Sequence, residues 1–454
     1  MRPRDEYVGD TREGLVGWLK GKLSDAADID LSPLKRPAAG FSNETYVCEL
    51  SYRRGETREV EPIVVRLEPK YRVFPQYDLE KQYKIMERLT GTEVPVPRVR
   101  WFEPDRRHIG ACFYVMDKVD GEAPPEVPPY HAFGMLFNAT PERRAKIWWN
   151  GVETLARIHT LDWRRLGLSF LGEPAGGTGP IDSQLDYYGR YLAWVKEKEP
   201  QPILDAALRW LRDHRYEPKR VSLCWGDSRL PNLLYRDDAV VAVLDWEMAW
   251  LGDPEADLGW WIFMDWQGCE GYGIPRLEGF PSAEETIARY EELTGHKVEH
   301  ALYNEVFAAF RFGIVLARVA HLMEELGMQR SAPDFSTNNV CTQRLAALLD
   351  LSAPGQTRRQ MTDIKKVTVR IQFHLTGPGG SDWYLVSEGG DGTRYPGVVE
   401  NPDVTVTASA ADWRAIRSGE IDRTQAFLGG KLKIEGDLTL LMQLEEVITR
   451  LGDA

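Results

Sequence analysis

Cysteine is scarce in this chain of 454 residues. Five occur, at Cys48, Cys112, Cys224, Cys269 and Cys341, with wide spacing and no C-x-x-C pair. That pattern argues against a disulfide framework and for buried, reduced thiols in a cytoplasmic protein. Excess positive charge is also missing. A formal net charge of -13 speaks against non-specific nucleic-acid binding, whereas a nucleotide needs only a few local cations and a metal. The first residues, Met1-Arg2-Pro3-Arg4-Asp5-Glu6, hold no apolar core of a secretory signal. A long apolar run without charge is absent too. The most apolar stretch, 303–323, contains Glu305, Arg311 and Arg318, and reads as a buried core helix rather than a membrane span.

What the chain does have is enough length for two or three domains. A short helix is expected around Trp18, Leu19 and Leu23. The small-residue stretch Ala39-Gly40-Phe41-Ser42-Asn43 reads as a turn. It leads into strands at 46–50 and 62–67, separated by the polar turn at 53–56. A helix is expected over 78–89, where Leu79, Tyr83, Met86 and Leu89 share a face. The prolines Pro95, Pro97 and Pro104 then lead to a strand at 112–119. From Thr140, a plausible N-cap before Pro141, the pattern turns helical to about His159. Further helices are expected at 185–196, 203–214, 283–293, 300–326 and 338–351. Residues 352–362 look like a linker. Beyond them 367–373, 383–387 and 404–407 alternate with period two, and a last helix is expected over 438–451. This carboxyl-terminal unit has about 90 residues, within the usual range for a domain.

The stretch from Leu223 to Glu247 carries the chemistry. Asp227 and Asn232 lie five apart on a loop. Asn232 opens a strand, Arg236-Asp237-Asp238 makes a turn, and the return strand is expected to end at Asp245. Such a hairpin sets an amide oxygen and a carboxylate side by side for a cation, with a second carboxylate opposite them for a hydroxyl proton. Phosphoryl transfer needs that arrangement. Together Gly226-Asp227, Asn232, Leu244-Asp245-Trp246-Glu247, Gly252-Asp253-Pro254 and Asp257-Leu258 resemble the signature of the aminoglycoside-phosphotransferase (choline-kinase-like) superfamily. Within it, the chain resembles the branch related to kinase domains fused to acyl-CoA dehydrogenases, over about residues 30–345.

The resemblance implies an α+β, bilobal protein-kinase-like fold, with a β-rich nucleotide-binding lobe over 1–121 and a helical lobe over 122–351. It implies that Asp227 is the catalytic base, and that Asn232 and Asp245 are ligands of Mg2+. Arg229 then touches the γ-phosphate or serves a structural ion pair. Arg66 is the phosphate-pairing residue of the third strand. The loop Gly40, Ser42, Asn43 and Thr45 covers the phosphates of ATP or GTP. Met116 lines the base pocket, and backbone groups of Asp117 and Val119 bind the adenine edge. Asp253 and Asp257 brace the catalytic loop. Glu247 either approaches the metal or is an exposed, helix-side carboxylate. Two departures stand out. Trp225 replaces the family's usual His, so packing is expected to brace that loop. Gln82 stands where an acidic partner for Arg66 is usual.

Residues 363–454 resemble a sterol-carrier-protein domain through 416–422 and 426–437, which implies a lipid or acyl ligand or an assembly role. The expected activity is phosphorylation of a small-molecule hydroxyl acceptor, such as a hydroxyacyl-CoA, hydroxy acid or sterol-like alcohol. Phosphorylation of an aminoglycoside or macrolide, with Asp186, Glu197 and Glu199 supplying an acidic cleft, is the second reading. An idle nucleotide- or lipid-binding scaffold is the third. His296-Lys297-Val298-Glu299-His300 matches a zinc-peptidase spacing but is expected to be coincidental. Trp148-Trp149 and Trp260-Trp261 are core or an aromatic acceptor cleft. The oligomeric state is not legible.

Overall fold

A computed structural model describes residues 4–36, 44–172, 179–327, 332–351, 368–388, 391–417, 426 and 431–436. The linker at 352–362, the last helix at 438–451 and most of the glycine-rich stretch at 418–430 lie outside the described residues.

The chain opens with α1 (Arg4–Lys22), β1 (Ala27–Leu31), β2 (Glu44–Arg54), β3 (Thr57–Leu67), α2 (Leu79–Leu89), β4 (Val99–Glu103) and β5 (Phe113–Asp117). The strands form one antiparallel sheet in the order β1-β2-β3-β5-β4. Alternation along β3 decides what each face does. Ile63, Val65 and Leu67 pack with Leu15, Trp18 and Leu19, an i, i+3, i+4 stripe of α1. Val64 points the other way, into a core shared with Leu79, Ile85, Met86 and Leu89 of α2. Arg66 follows the parity of Val64, so it faces the second lobe. The strands β1 and β4 escaped sequence reading: each is short and lacks a continuous apolar run. In β4 every residue is half-buried, so no alternation marks it.

The second lobe comprises α3 (Gly134–Phe137), α4 (Pro141–Thr160), α5 (Pro180–Lys196), α6 (Pro202–Asp213), β6 (Ser222–Cys224), β7 (Leu233–Arg236), β8 (Ala239–Val243), β9 (Trp250–Gly252), α7 (Glu255–Gln267), α8 (Ala283–Thr294), α9 (Ala301–Glu325) and α10 (Val340–Leu348). Thr140 caps α4 as expected, accepting from the Arg143 N–H. The helix α7 was not expected. It is apolar nearly all round, with Ala256, Leu258, Trp260, Trp261, Phe263 and Met264 all buried, so no single stripe announces it. By length and apolarity α9 could cross a bilayer. Here it is packed among α5, α6, α7 and α10, with Arg311 fully buried on it.

The carboxyl-terminal unit contains β10 (Thr368–Thr376), β11 (Asp382–Glu388), β12 (Asp391–Pro396), β13 (Val404–Ser409), α11 (Ala410–Arg417) and β14 (Leu432–Gly436). The strand order is β12-β11-β10-β13-β14. β10 and β13 run parallel and the other pairs antiparallel. Asp391 and Gly392 already belong to β12, paired with Glu388 and Ser387 of β11. Phe373 and Trp383 stack at 3.8 Å in the core, with Trp413 against them.

One buried cation holds the entrance to α4. Arg144 donates to the carbonyls of Leu136 (2.8 Å), Phe137 (2.8 Å) and Glu278 (3.0 Å). Arg144→Met keeps the bulk and strands three carbonyls. It should lower stability by about 2–4 kcal/mol, read as a shifted midpoint in urea denaturation.

Candidate active site

The loop between β6 and β7 is fixed from below. Gly226 has φ +89°, and a Cβ there would lie 2.1 Å from the Met248 carbonyl oxygen. The fully buried Asp257, on the first turn of α7, accepts the backbone N–H groups of Trp225 (2.5 Å) and Gly226 (2.9 Å). Its carboxylate also meets His159 Nε2 at 3.2 Å, while His159 Nδ1 meets the Tyr290 hydroxyl at 2.6 Å. Ser228 Oγ donates to the Asp257 carbonyl. Asp253 accepts the Glu255 N–H and the Tyr216 hydroxyl. Burial pushes its carboxyl up to about 6. Trp225 does more than pack: its indole N–H donates to the Leu244 carbonyl at 2.8 Å. The expectation of bracing by packing alone is therefore corrected.

The β7–β8 hairpin turns at Asp237 and Asp238, both at positive φ (52° and 66°), the conformation that matches strand twist. The Asp238 carboxylate pairs with Arg143 and Lys146, anchoring the tip to α4. β8 ends at Val243 rather than at Asp245. The Leu244 N–H donates to the Asn232 carbonyl (2.9 Å), and Asp245 then takes φ +59°. A non-glycine residue held there marks a constrained position.

Three side chains converge on the Asp227 carboxylate. Asn232 Nδ2 donates to the Asp227 carbonyl (3.0 Å) and to Asp227 Oδ2 (2.7 Å). Arg229 Nε also reaches Oδ2, at 3.0 Å, and its Nη1 pairs with Glu126. Trp260 Nε1 donates to Asp227 Oδ1 at 2.9 Å. Burial raises the Asp227 carboxyl above its ordinary value. Arg229 opposes the shift, and the charges of Asp245 and Glu126 add to it. Burial works against the Arg229 charge as well, but Asp227 and Glu126 more than offset it.

From the other lobe, Arg66 Nη2 pairs with Asp245 Oδ1 at 2.7 Å. Its buried Nε has no hydrogen-bond partner. Thr45 lies directly across from Arg66 in the β2–β3 register, so the end of the expected nucleotide loop sits over that side chain. Gly40, Ser42 and Asn43 lie outside the described residues. Gln82 is buried and gives Arg66 no charge; its Oε1 accepts from the Tyr114 hydroxyl at 3.4 Å. The neighbouring Lys81 instead grips the segment after Asp245, donating to the carbonyls of Glu247 (2.8 Å) and Ala249 (3.2 Å). Glu247 is half-buried in a turn, so the helix-side alternative is corrected. Met116 packs in the core beside Val64. The Asp117 N–H is spent on the Arg98 carbonyl (2.9 Å), which removes it as a donor to a base. Val119 is half-buried.

Beside Arg229 lies a shallow recess lined by Trp148, Trp261, Met264, Pro231 and Glu126. Trp148 and Trp261 are therefore both core and wall. Asp265 also borders it, but Tyr130, His131 and Arg276 occupy its carboxylate. The zinc-peptidase spacing holds no cluster: His300 stacks on Tyr216 and Glu299 pairs with Lys219. Sequence reading gave no site role to Glu126, Lys81, His159 or Arg311 and read Trp260 as core or acceptor cleft, not as a partner of Asp227; none of them stands in a local pattern with its partner.

Residues 33–294, more than half of the chain, match the phosphotransferase enzyme family, and residues 349–449 match the SCP-2 sterol transfer family. The chain is similar to acyl-CoA dehydrogenase family member 10 of Mus musculus, 29% identical over 300 residues, covering 63% of this chain and 25% of that protein. A 93-residue stretch is 36% identical to hydroxysteroid dehydrogenase-like protein 2 of Bos taurus, covering 20% of this chain and 22% of that protein. The chain thus spans about a quarter of the length of either curated relative. A solved chain from Ralstonia eutropha JMP134, titled as an aminoglycoside phosphotransferase, superposes with a TM-score of 0.55 at 24% identity. The match covers 74% of this chain and 95% of that one, and it speaks for the fold. The expected kinase-like α+β fold with a sterol-carrier-type domain is borne out, and the chain belongs to the phosphotransferase enzyme family.

Asp257 offers its loop acceptors only. Asp257→Asn turns one acceptor into a donor facing a backbone N–H. The variant should lose about 2–3 kcal/mol of stability, measured by urea denaturation.

Proposed function

We propose that this member of the phosphotransferase enzyme family moves the γ-phosphate of ATP or GTP onto a hydroxyl of a small lipophilic molecule, with Mg2+ as its cation. The observation that carries the reading is the 2.7 Å bond from the Asn232 amide to Asp227 Oδ2. It commits the amide nitrogen to the carboxylate and turns the amide oxygen the other way. An amide oxygen and the Asp245 carboxylate are the hard oxygen donors that magnesium favours, so the residues fit the ion. Magnesium, when bound, offsets phosphate charge.

The remaining roles belong to the chain. Asp227 orients the acceptor hydroxyl and takes its proton as the new oxygen–phosphorus bond forms. The bond from the γ-phosphorus to its bridging oxygen breaks, and the nucleoside diphosphate leaves. Arg66, with its unpartnered Nε, and Thr45 across from it face the phosphates. Arg229 is held by Asp227 and Glu126, which favours its positioning role over direct phosphate contact.

The recess favours an uncharged or lipophilic acceptor. Its walls are aromatic and aliphatic, and its two carboxylates are already neutralised by Arg229 and Arg276. Asp186, Glu197 and Glu199, the acids expected to attract an aminoglycoside, do not line it, and Asp186 pairs with Arg212. Hydroxyacyl-CoAs, hydroxy acids and sterol-like alcohols are the candidates, with the SCP-2-type domain binding an acyl or sterol ligand.

The test is ADP release from magnesium-ATP with a panel of these alcohols, and mass spectrometry of the phosphorylated product. No product above background from any of them rejects the acceptor class. Asp227→Asn should lower kcat by roughly 10²–10⁴; near-normal turnover would reject Asp227 as the base. Asp245→Ala should abolish magnesium-dependent turnover while circular dichroism shows an intact fold. Retained magnesium dependence would assign the main ligand elsewhere.

A further inference from the structure

The catalytic carboxylate has an acceptor count that is almost full. An ionised carboxylate offers about two lone-pair sites on each oxygen. Asp227 Oδ2 takes two donors, Asn232 Nδ2 and Arg229 Nε. Oδ1 takes one, the indole N–H of Trp260 at 2.9 Å. One lone pair, on Oδ1, is left for an incoming hydroxyl.

Trp260 is built to hold that single bond in place. It is 1% exposed and sits one turn along α7 from Asp257, the residue that fixes the loop's backbone. Phe312 of α9 packs edge-on against its ring at 5.9 Å. The Arg311 guanidinium lies over the ring at 4.1 Å. Arg311 Nη2 also donates to the Gly226 carbonyl at 2.9 Å, one residue before Asp227. The Nε and Nη1 of Arg311 make no hydrogen bond, and the guanidinium is held instead by the faces of Trp260, Phe307 and Tyr188. One buried cation therefore clamps both the indole and the backbone of the catalytic loop.

We propose that Trp260 is a positioning residue for phosphoryl transfer: its N–H, backed by Arg311, sets the rotation of the Asp227 carboxylate so that Oδ1 receives the acceptor hydroxyl. An indole N–H suits this task because it donates only and does not titrate. This rests on the phosphotransfer reading above, and the test separates the two.

The contact is read without turnover. In 15N-labelled full-length protein, Trp260→Phe deletes one of the fifteen tryptophan indole signals and assigns it. Asp227→Ala should move that signal upfield and speed its exchange with solvent. An unmoved signal overturns the proposal. The consequence is read with magnesium-ATP, water serving as the acceptor. Trp260→Phe should lower kcat by roughly 10- to 100-fold, the scale of a misplaced reacting group, with KM for ATP within about twofold. Unchanged kcat, or a loss seen only in KM, also overturns it. If Trp260→Phe fails to fold, benzothienylalanine at position 260 keeps the ring's shape and lacks the N–H, and the same outcomes apply. Absence of ATP turnover in the unmodified protein, with water and with every alcohol of the panel, rejects the phosphotransfer reading and the catalytic consequence with it, while the indole signal still decides the contact.

Discussion

The site depends on one buried carboxylate that does no chemistry. Asp257 takes the N–H groups of Trp225 and Gly226, and with them it sets the backbone from which Asp227 projects. The loop needs this because Gly226 adopts a left-handed conformation pressed against Met248. A buried anion is costly unless its lone pairs are matched. Here two backbone donors and the His159 imidazole match them. His159 lies on α4 and Tyr290 on α8, so the bracing extends through the lobe to two further helices.

A second set of contacts joins the lobes. Arg66 reaches Asp245 from β3, and Lys81 reaches the carbonyls of Glu247 and Ala249 from α2. Burial lowers the Lys81 pKa, opposed by Asp78 and Glu247. Neutral Gln82 makes sense in this setting. An acid at that position would compete with Asp245 for Arg66. The amide leaves the guanidinium to Asp245.

The residues that sequence reading found are close together along the chain. Asp227, Asn232 and Asp245 fall within one loop and one hairpin, so spacing alone places them near one another. β2 and α2 were legible because each has a clear period, two and 3.6, and β3 because its apolar run Ile63-Val64-Val65 follows a polar turn. What escaped was nonlocal or lacked a period. Trp260 meets Asp227 from 33 residues away, Arg311 meets Gly226 from 85, and Glu126 meets Arg229 from 103. No propensity encodes such pairs. The apolar helix α7 hid because its burial is nearly complete, and Trp225 was read as bulk when its N–H mattered more.

The grip of Lys81 has a consequence for how this molecule tolerates drift. The lysine holds main-chain oxygens, which every amino acid supplies. The bridge itself does not read the side chains at 247 and 249, whereas it needs the one at 81. The tether rests on a long cation on α2 and on main-chain oxygens, so the residue identities in the turn give no sign that it exists.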